Sequence, residues 1–126
     1  MTHENKEQLT KWLRAATEVR GTLVRSIRFP DQTILREGAE NEFSAKALEL
    51  AWRVVSDTFH VLNAQRFPPD RLSWIYDRAV LHCVRRADGA MLGVFSARKA
   101  SEVDGEGLNR LLNEFLGLAL ANSLES

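Results

Sequence analysis

The stretch Phe43-Ser44-Ala45-Lys46-Ala47-Leu48-Glu49-Leu50-Ala51-Trp52-Arg53-Val54-Val55-Ser56-Asp57-Thr58-Phe59-His60-Val61-Leu62-Asn63-Ala64-Gln65-Arg66 contains no glycine or proline and repeats its apolar residues at helical spacing. It predicts one long central helix, Phe43 to Arg66. Pro68-Pro69 stops it, because proline lacks the amide donor and its ring clashes with the preceding helical turn. At 100° per residue, Leu48, Ala51, Trp52, Val55, Phe59 and Leu62 form one apolar face suited to a sheet. Phe43, Ala47, Leu50, Val54 and Val61 lie on an adjoining sector, so the apolar arc spans roughly 200°, against the ~100° stripe of a helix that packs on one surface. Either other parts of the same chain cover this second sector or it is a subunit interface. Glu42, Lys46, Glu49, Arg53, Asp57 and His60 remain for the solvated side. Glu42 with Lys46 and Glu49 with Arg53 form i,i+4 pairs worth only about 0.2–0.5 kcal/mol each, so they mark the wet face and little more.

Upstream, Leu9, Trp12, Leu13, Ala16 and Val19 recur at helical spacing, which predicts an amphipathic helix from about 5 to 18 with Thr2 or Asn5 as its cap and Gly21 as its end. Thr22 to Phe29 and Thr33 to Glu37 read as two strands joined through Pro30-Asp31-Gln32. Gly38 to Glu42 is a short polar connector. Downstream come three strands, Arg71 to Asp77, Ala79 to Arg86 and Ala90 to Ala97. The last two meet at Ala87-Asp88-Gly89, where glycine supplies the positive φ of a tight hairpin. Met91-Leu92-Gly93-Val94-Phe95 is apolar on both alternating faces, which suits a central strand covered on both sides. Leu108, Leu111, Leu112, Phe115 and Ala119 give a third helix capped by Ser101 or Asp104. The order is α-β-β-α-β-β-β-α, an antiparallel α/β domain spanning 1–126 with no internal repeat and no linker that would divide it.

At 126 residues the chain can bury a core without staples. Hydrophobic residues at 44% and charged residues at 27% exclude a disordered or fibrous chain. Cys83 is the sole cysteine, so no intramolecular disulfide forms, and Met1-Thr2-His3-Glu4-Asn5-Lys6 lacks the basic and apolar regions of a secretion signal. The cytoplasm is the expected compartment. Leu116 to Ala121 is far short of the ~18 residues that suggest a membrane span. With 17 basic and 17 acidic residues, no overall field attracts nucleic acid or anionic lipid.

No constellation carries chemistry. His82 and Cys83 are neighbours on a strand and point to opposite faces, so they cannot form a thiol–imidazole dyad, and Cys83 reads as a small buried hydrophobe. His3 and His60 lack metal-ligand spacing. There is no glycine-rich phosphate loop, no dinucleotide fingerprint and no Gly-x-Ser-x-Gly turn; Gly105 and Gly107 read as loop and first-turn residues of the third helix. Glu40 and Glu42 sit in a polar connector with no apolar pocket around them. Arg25 and Arg28 fall on opposite sides of the first strand and Arg85-Arg86 follow the same geometry, so the arginines read as scattered surface groups that serve solubility. Neither a cofactor nor a nucleic-acid partner is implied.

The element order, together with Val19-Arg20-Gly21-Thr22-Leu23-Val24, the hairpin through Pro30-Asp31-Gln32, Gly38 ahead of the long helix, and Trp74 to Phe95 with its Asp88-Gly89 turn, resembles the roadblock family of dynein light chains and bacterial GTPase regulators. The likeness covers about residues 5 to 122. It departs at the first hairpin, where family members often carry Asp-Gly and this chain has Asp31-Gln32. The resemblance implies a sheet in the order 2-1-5-4-3 with the first and third helices on one face and the central helix on the other. It also implies pairing through the third strand and central helix, and a Ras-like small GTPase or comparable scaffold as partner. The third strand carries Leu72, Trp74, Ile75 and Tyr76 with no Lys or Pro to guard an edge. Together with Phe43, Ala47, Leu50, Val54 and Val61 these residues are the expected interface of a homodimer or of a heterodimer with a paralogue. Lys46, Glu49, Arg53 and Asp57 are the expected partner surface. The competing function is a small-molecule sensor whose pocket between sheet and helix would draw on Arg25, Tyr76 and His82.

Overall fold

The computed structural model describes residues 1–38, 44–66 and 70–120, arranged as α1 (His3–Ala15), β1 (Thr22–Arg28), β2 (Ile34–Gly38), α2 (Ala45–Ala64), β3 (Leu72–Ile75), β4 (Ala79–Arg85), β5 (Met91–Ala97) and α3 (Gly105–Gly117), with a 3₁₀ turn at Ala100–Glu102 before α3. Phe43, Glu42 and the Pro68-Pro69 stop lie outside the described residues. Each helix opens on a side-chain cap that binds an otherwise orphaned amide. The Thr2 hydroxyl accepts from Asn5 N, the Ser44 hydroxyl from Ala47 N and the Asp104 carboxylate from Gly107 N. Gly107 thus belongs to the first turn of α3, as its spacing suggests. The first helix is shorter than its periodicity implies: the chain turns extended at Ala16, so Val19 reaches the core from the loop that follows.

All neighbouring strands are antiparallel, in the order β2-β1-β5-β4-β3. The central place of β5 follows from its composition, and every residue from Met91 to Ser96 is buried. Leu92 and Val94 face α1 and α3, where Leu9, Leu13, Leu108, Leu111, Leu112 and Phe115 complete one core. Met91 and Phe95 face α2, where Leu48, Trp52, Val55 and Phe59 form the second with Val24, Leu81 and Cys83. Fully burying each such side chain contributes about 1.5–3 kcal/mol.

Two turns show how local chemistry sets the strand ends. Gly89 takes φ 95, as the tight β4–β5 turn requires. At the β1–β2 turn the left-handed residue is Gln32, φ 74, where glycine would be the unstrained choice. Asp31 holds it there by accepting from both the amide and the hydroxyl of Thr33, at 3.0 and 2.6 Å.

Arg86 corrects the reading of the arginines as scattered surface groups. It is buried, and its guanidinium donates to the Phe115 and Leu118 carbonyls at the end of α3 while Nε meets the Asp88 carboxylate at 3.0 Å. The group closes the carbonyl end of α3, where a cation also complements the helix dipole, and stacks 5.5 Å from the centre of the Phe115 ring. Arg86→Ala leaves those carbonyls and Asp88 without their donor, so it is expected to cost about 2–4 kcal/mol. Urea unfolding monitored by far-ultraviolet circular dichroism checks this; a loss under about 0.5 kcal/mol contradicts the assigned role.

Candidate functional site

The surface of α2 divides as its sequence does. Leu48, Trp52, Val55 and Phe59 are buried and Ala51 and Leu62 half-buried, so the predicted sheet-facing side is the one that packs. The second sector is uncovered: Ala47 is exposed, and Leu50, Val54 and Val61 are 50%, 51% and 55% exposed. With Ile75 and Tyr76 they make up all the exposed large apolar side chains among the described residues except Met1 and Leu116.

The direction in which that sector looks can be worked out from the opposite side of the helix. Glu49, Ser56 and Asp57, with Trp52 and Arg53, border a cleft of about 190 Å³ against Arg28, Gln32 and Ile34 of the first hairpin. That flank of α2 therefore leans toward β2. The other flank runs from Leu62 and Ala51 out to Val54, Val61 and Leu50, and leans toward β3, the far edge of the sheet. Three of the four charged residues expected to meet a partner, Glu49, Arg53 and Asp57, thus share the cleft, while Lys46 stands exposed near the start of the helix and outside it. The cleft itself was not legible in the sequence, since it needs the hairpin placed beside the helix.

The β3 residues separate onto two faces. Leu72 and Trp74 pair with Cys83 and Leu81 and pack, half-buried, against the α2-side core. Tyr76 follows them, its ring 6.4 Å from that of Phe95. Ile75, 70% exposed, pairs with Val80 and points to the opposite face with Ser73 and His82. The four residues expected in one interface therefore share an edge and not a single face.

On that second face His82 bridges strands and helix. Arg71 donates to Nδ1 at 2.9 Å and to Asn109 of α3 at 2.6 Å. Because a guanidinium has no acceptor, Nδ1 must accept, and Nε2–H is left to donate to Ser96 Oγ at 3.0 Å. Burial, and then the Arg71 charge, hold the imidazole at about 4, below its ordinary 6.5. Cys83 points the other way into the α2-side core, where burial pushes its thiol up. The sensor trio does not converge. Arg25 and His82 face α1 and α3 from opposite sides of the buried Val94, with Arg25 donating to the Thr17 carbonyl, whereas Tyr76 lies on the α2 side. A larger hollow of about 550 Å³ lies between the end of α1 and α3; Arg25 reaches its rim at the Thr17 carbonyl, but Tyr76 and His82 do not line it. Among the described residues, no three His, Cys, Asp or Glu side chains stand together as a metal site, and no helix is long and apolar enough to cross a membrane.

Neither protein-family models nor curated proteins match this sequence. Among solved structures the chain is similar to a Roadblock/LC7 domain from Streptomyces avermitilis, with a TM-score of 0.57 and 15% identity over 80% of this chain and 84% of that one. At that identity the likeness is one of fold, and the fold is of roadblock type.

Between pH about 4 and 6.5 the unfolded chain binds a proton at His82 that the folded chain does not, so stability falls as pH drops through that window. The half-exposed site screens the effect to on the order of 1 kcal/mol. Thermal melts from pH 7 to 4 should decline less steeply for His82→Gln than for the parent; parallel declines would assign the acid sensitivity elsewhere.

Proposed function

Starting from the roadblock fold, we propose that the chain is a dimerising protein-binding module that serves as scaffold or regulator of a Ras-like small GTPase and performs no chemistry of its own. The observation that carries this reading is the uncovered apolar sector of α2, which leans toward an edge strand that has neither Lys nor Pro within it. A second copy would bury Leu50, Val54 and Val61 against their mates and satisfy the open backbone groups of β3. An interface of standard size buries about 1,600 Å² in total. The roadblock resemblance supports the same pair of elements and supplies the class of third partner. With the apolar sector so occupied, Glu49, Arg53 and Asp57 stay accessible at the cleft and Lys46 stays accessible near the start of the helix. There they set charge complementarity and association rate more than affinity. The cytoplasm is the compartment this partner requires.

The scattered placement of Arg25, Tyr76 and His82 weighs against the sensor reading, which would need convergent polar groups in one cavity. Val54→Arg puts a charge into the seam and is expected to shift the chain from a dimer toward the 14.3 kDa monomer at micromolar concentration by light scattering, with little change in melting temperature of the monomer fold. The GTPase arm is tested by pull-down from the source cell and titration of the recovered GTPase in its GDP and GTP forms. A parent protein that scatters as a monomer, or a dimer that retains a metabolite and no GTPase, contradicts the proposal.

A further inference from the structure

The backbone of β3 restricts how two copies can meet. Tyr76 N donates to Ala79 O at 2.8 Å, and the register pairs Trp74 with Leu81 and Leu72 with Cys83. Bonding direction alternates along an antiparallel strand, so Leu72, Trp74 and Tyr76 turn their amides and carbonyls toward β4 while Ser73 and Ile75 turn theirs outward. Directly opposed residues in a ladder point to the same face. A twofold that joins two such edges antiparallel stands perpendicular to the sheet and keeps both α2 helices on one side. Only a register centred on a residue then matches face to face.

Resting on the dimeric reading above, we propose that two copies pair through β3 in the register centred on Trp74, so that Trp74 meets its own mate, Leu72 meets the mate's Tyr76, and Ser73 meets the mate's Ile75. This register keeps the whole extended stretch 72–76 in the ladder. Centring on Ile75 drives the mate's chain into the β3–β4 turn at Asp77 and Arg78, because Tyr76 is already bonded across that turn to Ala79. Centring on Ser73 sets Tyr76 opposite the exposed Asp70, and Ile75 opposite Arg71, which is already held by His82 and Asn109. The Trp74 register instead joins three apolar pairs on the α2 side into one strip, continuous with the exposed sector of α2. On the other face it covers Ile75, the most exposed of these side chains, with the mate's Ser73.

Cysteine cross-linking of the full chain reads the register directly, since Cys83 is fully buried and does not compete. Trp74→Cys should bridge to itself under mild oxidation, because opposed residues in a non-hydrogen-bonded pair lie about 4.5 Å apart at Cα, within disulfide range. Ser73→Cys alone and Ile75→Cys alone stay uncross-linked, their like positions being roughly 8 Å apart, whereas an equimolar mixture of the two cross-links. That mixture keeps the test valid if Trp74→Cys folds poorly, as both positions are exposed. Self-bridging at 73 or at 75 overturns the register. A dimer by light scattering with no cross-link in any arm overturns β3 pairing while sparing the dimer, and a monomer overturns the dimeric reading itself.

Discussion

The indole of Trp52 lies on the bare backbone of Gly93, and the rotation of α2 on its sheet depends on that contact. A Cβ at position 93 would stand 3.0 Å from the ring, so glycine in the middle of the central strand is what lets the helix come this close. The indole N–H donates to Ser26 at 2.9 Å, and Ser26 in turn donates to the Leu35 carbonyl at 2.8 Å. This chain of bonds joins the helix to β1 and β2 and gives the buried indole N–H and the Ser26 hydroxyl their partners. Once Trp52 is seated, the rest of the helical surface is determined at 100° per residue. Phe59 and Val55 go down, Glu49 and Asp57 turn toward the hairpin, and Val54 and Val61 turn out toward β3.

What was legible in the sequence is what repeats or punctuates. The helical period of Phe43 to Arg66 located α2, the doubly apolar run Met91 to Phe95 located the central strand, and Asp88-Gly89 located a hairpin. Features that depend on one element lying beside another were not legible. Arg86 follows Arg85 in a strand and nothing in its neighbourhood distinguishes it, yet the docking of α3 makes it a buried cap. The cleft beside Glu49 and Asp57 needs the hairpin folded against the helix. The division of β3 between two faces was available from strand alternation alone, but grouping Leu72, Trp74, Ile75 and Tyr76 by hydrophobicity hid it. At Gln32 the turn is made by the side chain of a neighbour, Asp31, which substitutes for the conformational freedom of glycine.

The same geometry lets one helix serve two purposes on the proposed reading. Glu49, Arg53 and Asp57 line the cleft on the hairpin side of α2, whereas Leu50, Val54 and Val61 adjoin them outside it, so a copy seated on the apolar sector leaves the cleft open. A homodimer would then present two copies of the charged flank, related by the twofold and held rigidly by the sheet beneath.

On the dimeric reading, the β3 edge and the outer sector of α2 are covered by a second copy. Amide hydrogen exchange resolved to single residues, recorded across a dilution series, tests it most directly. The Ser73 and Ile75 amides are expected to be protected at high concentration and to lose that protection on dilution. The Trp74 amide, already turned toward β4, should change far less. Ser73 and Ile75 amides that exchange at open-chain rates at every concentration, in a protein whose mass is dimeric throughout, would contradict it.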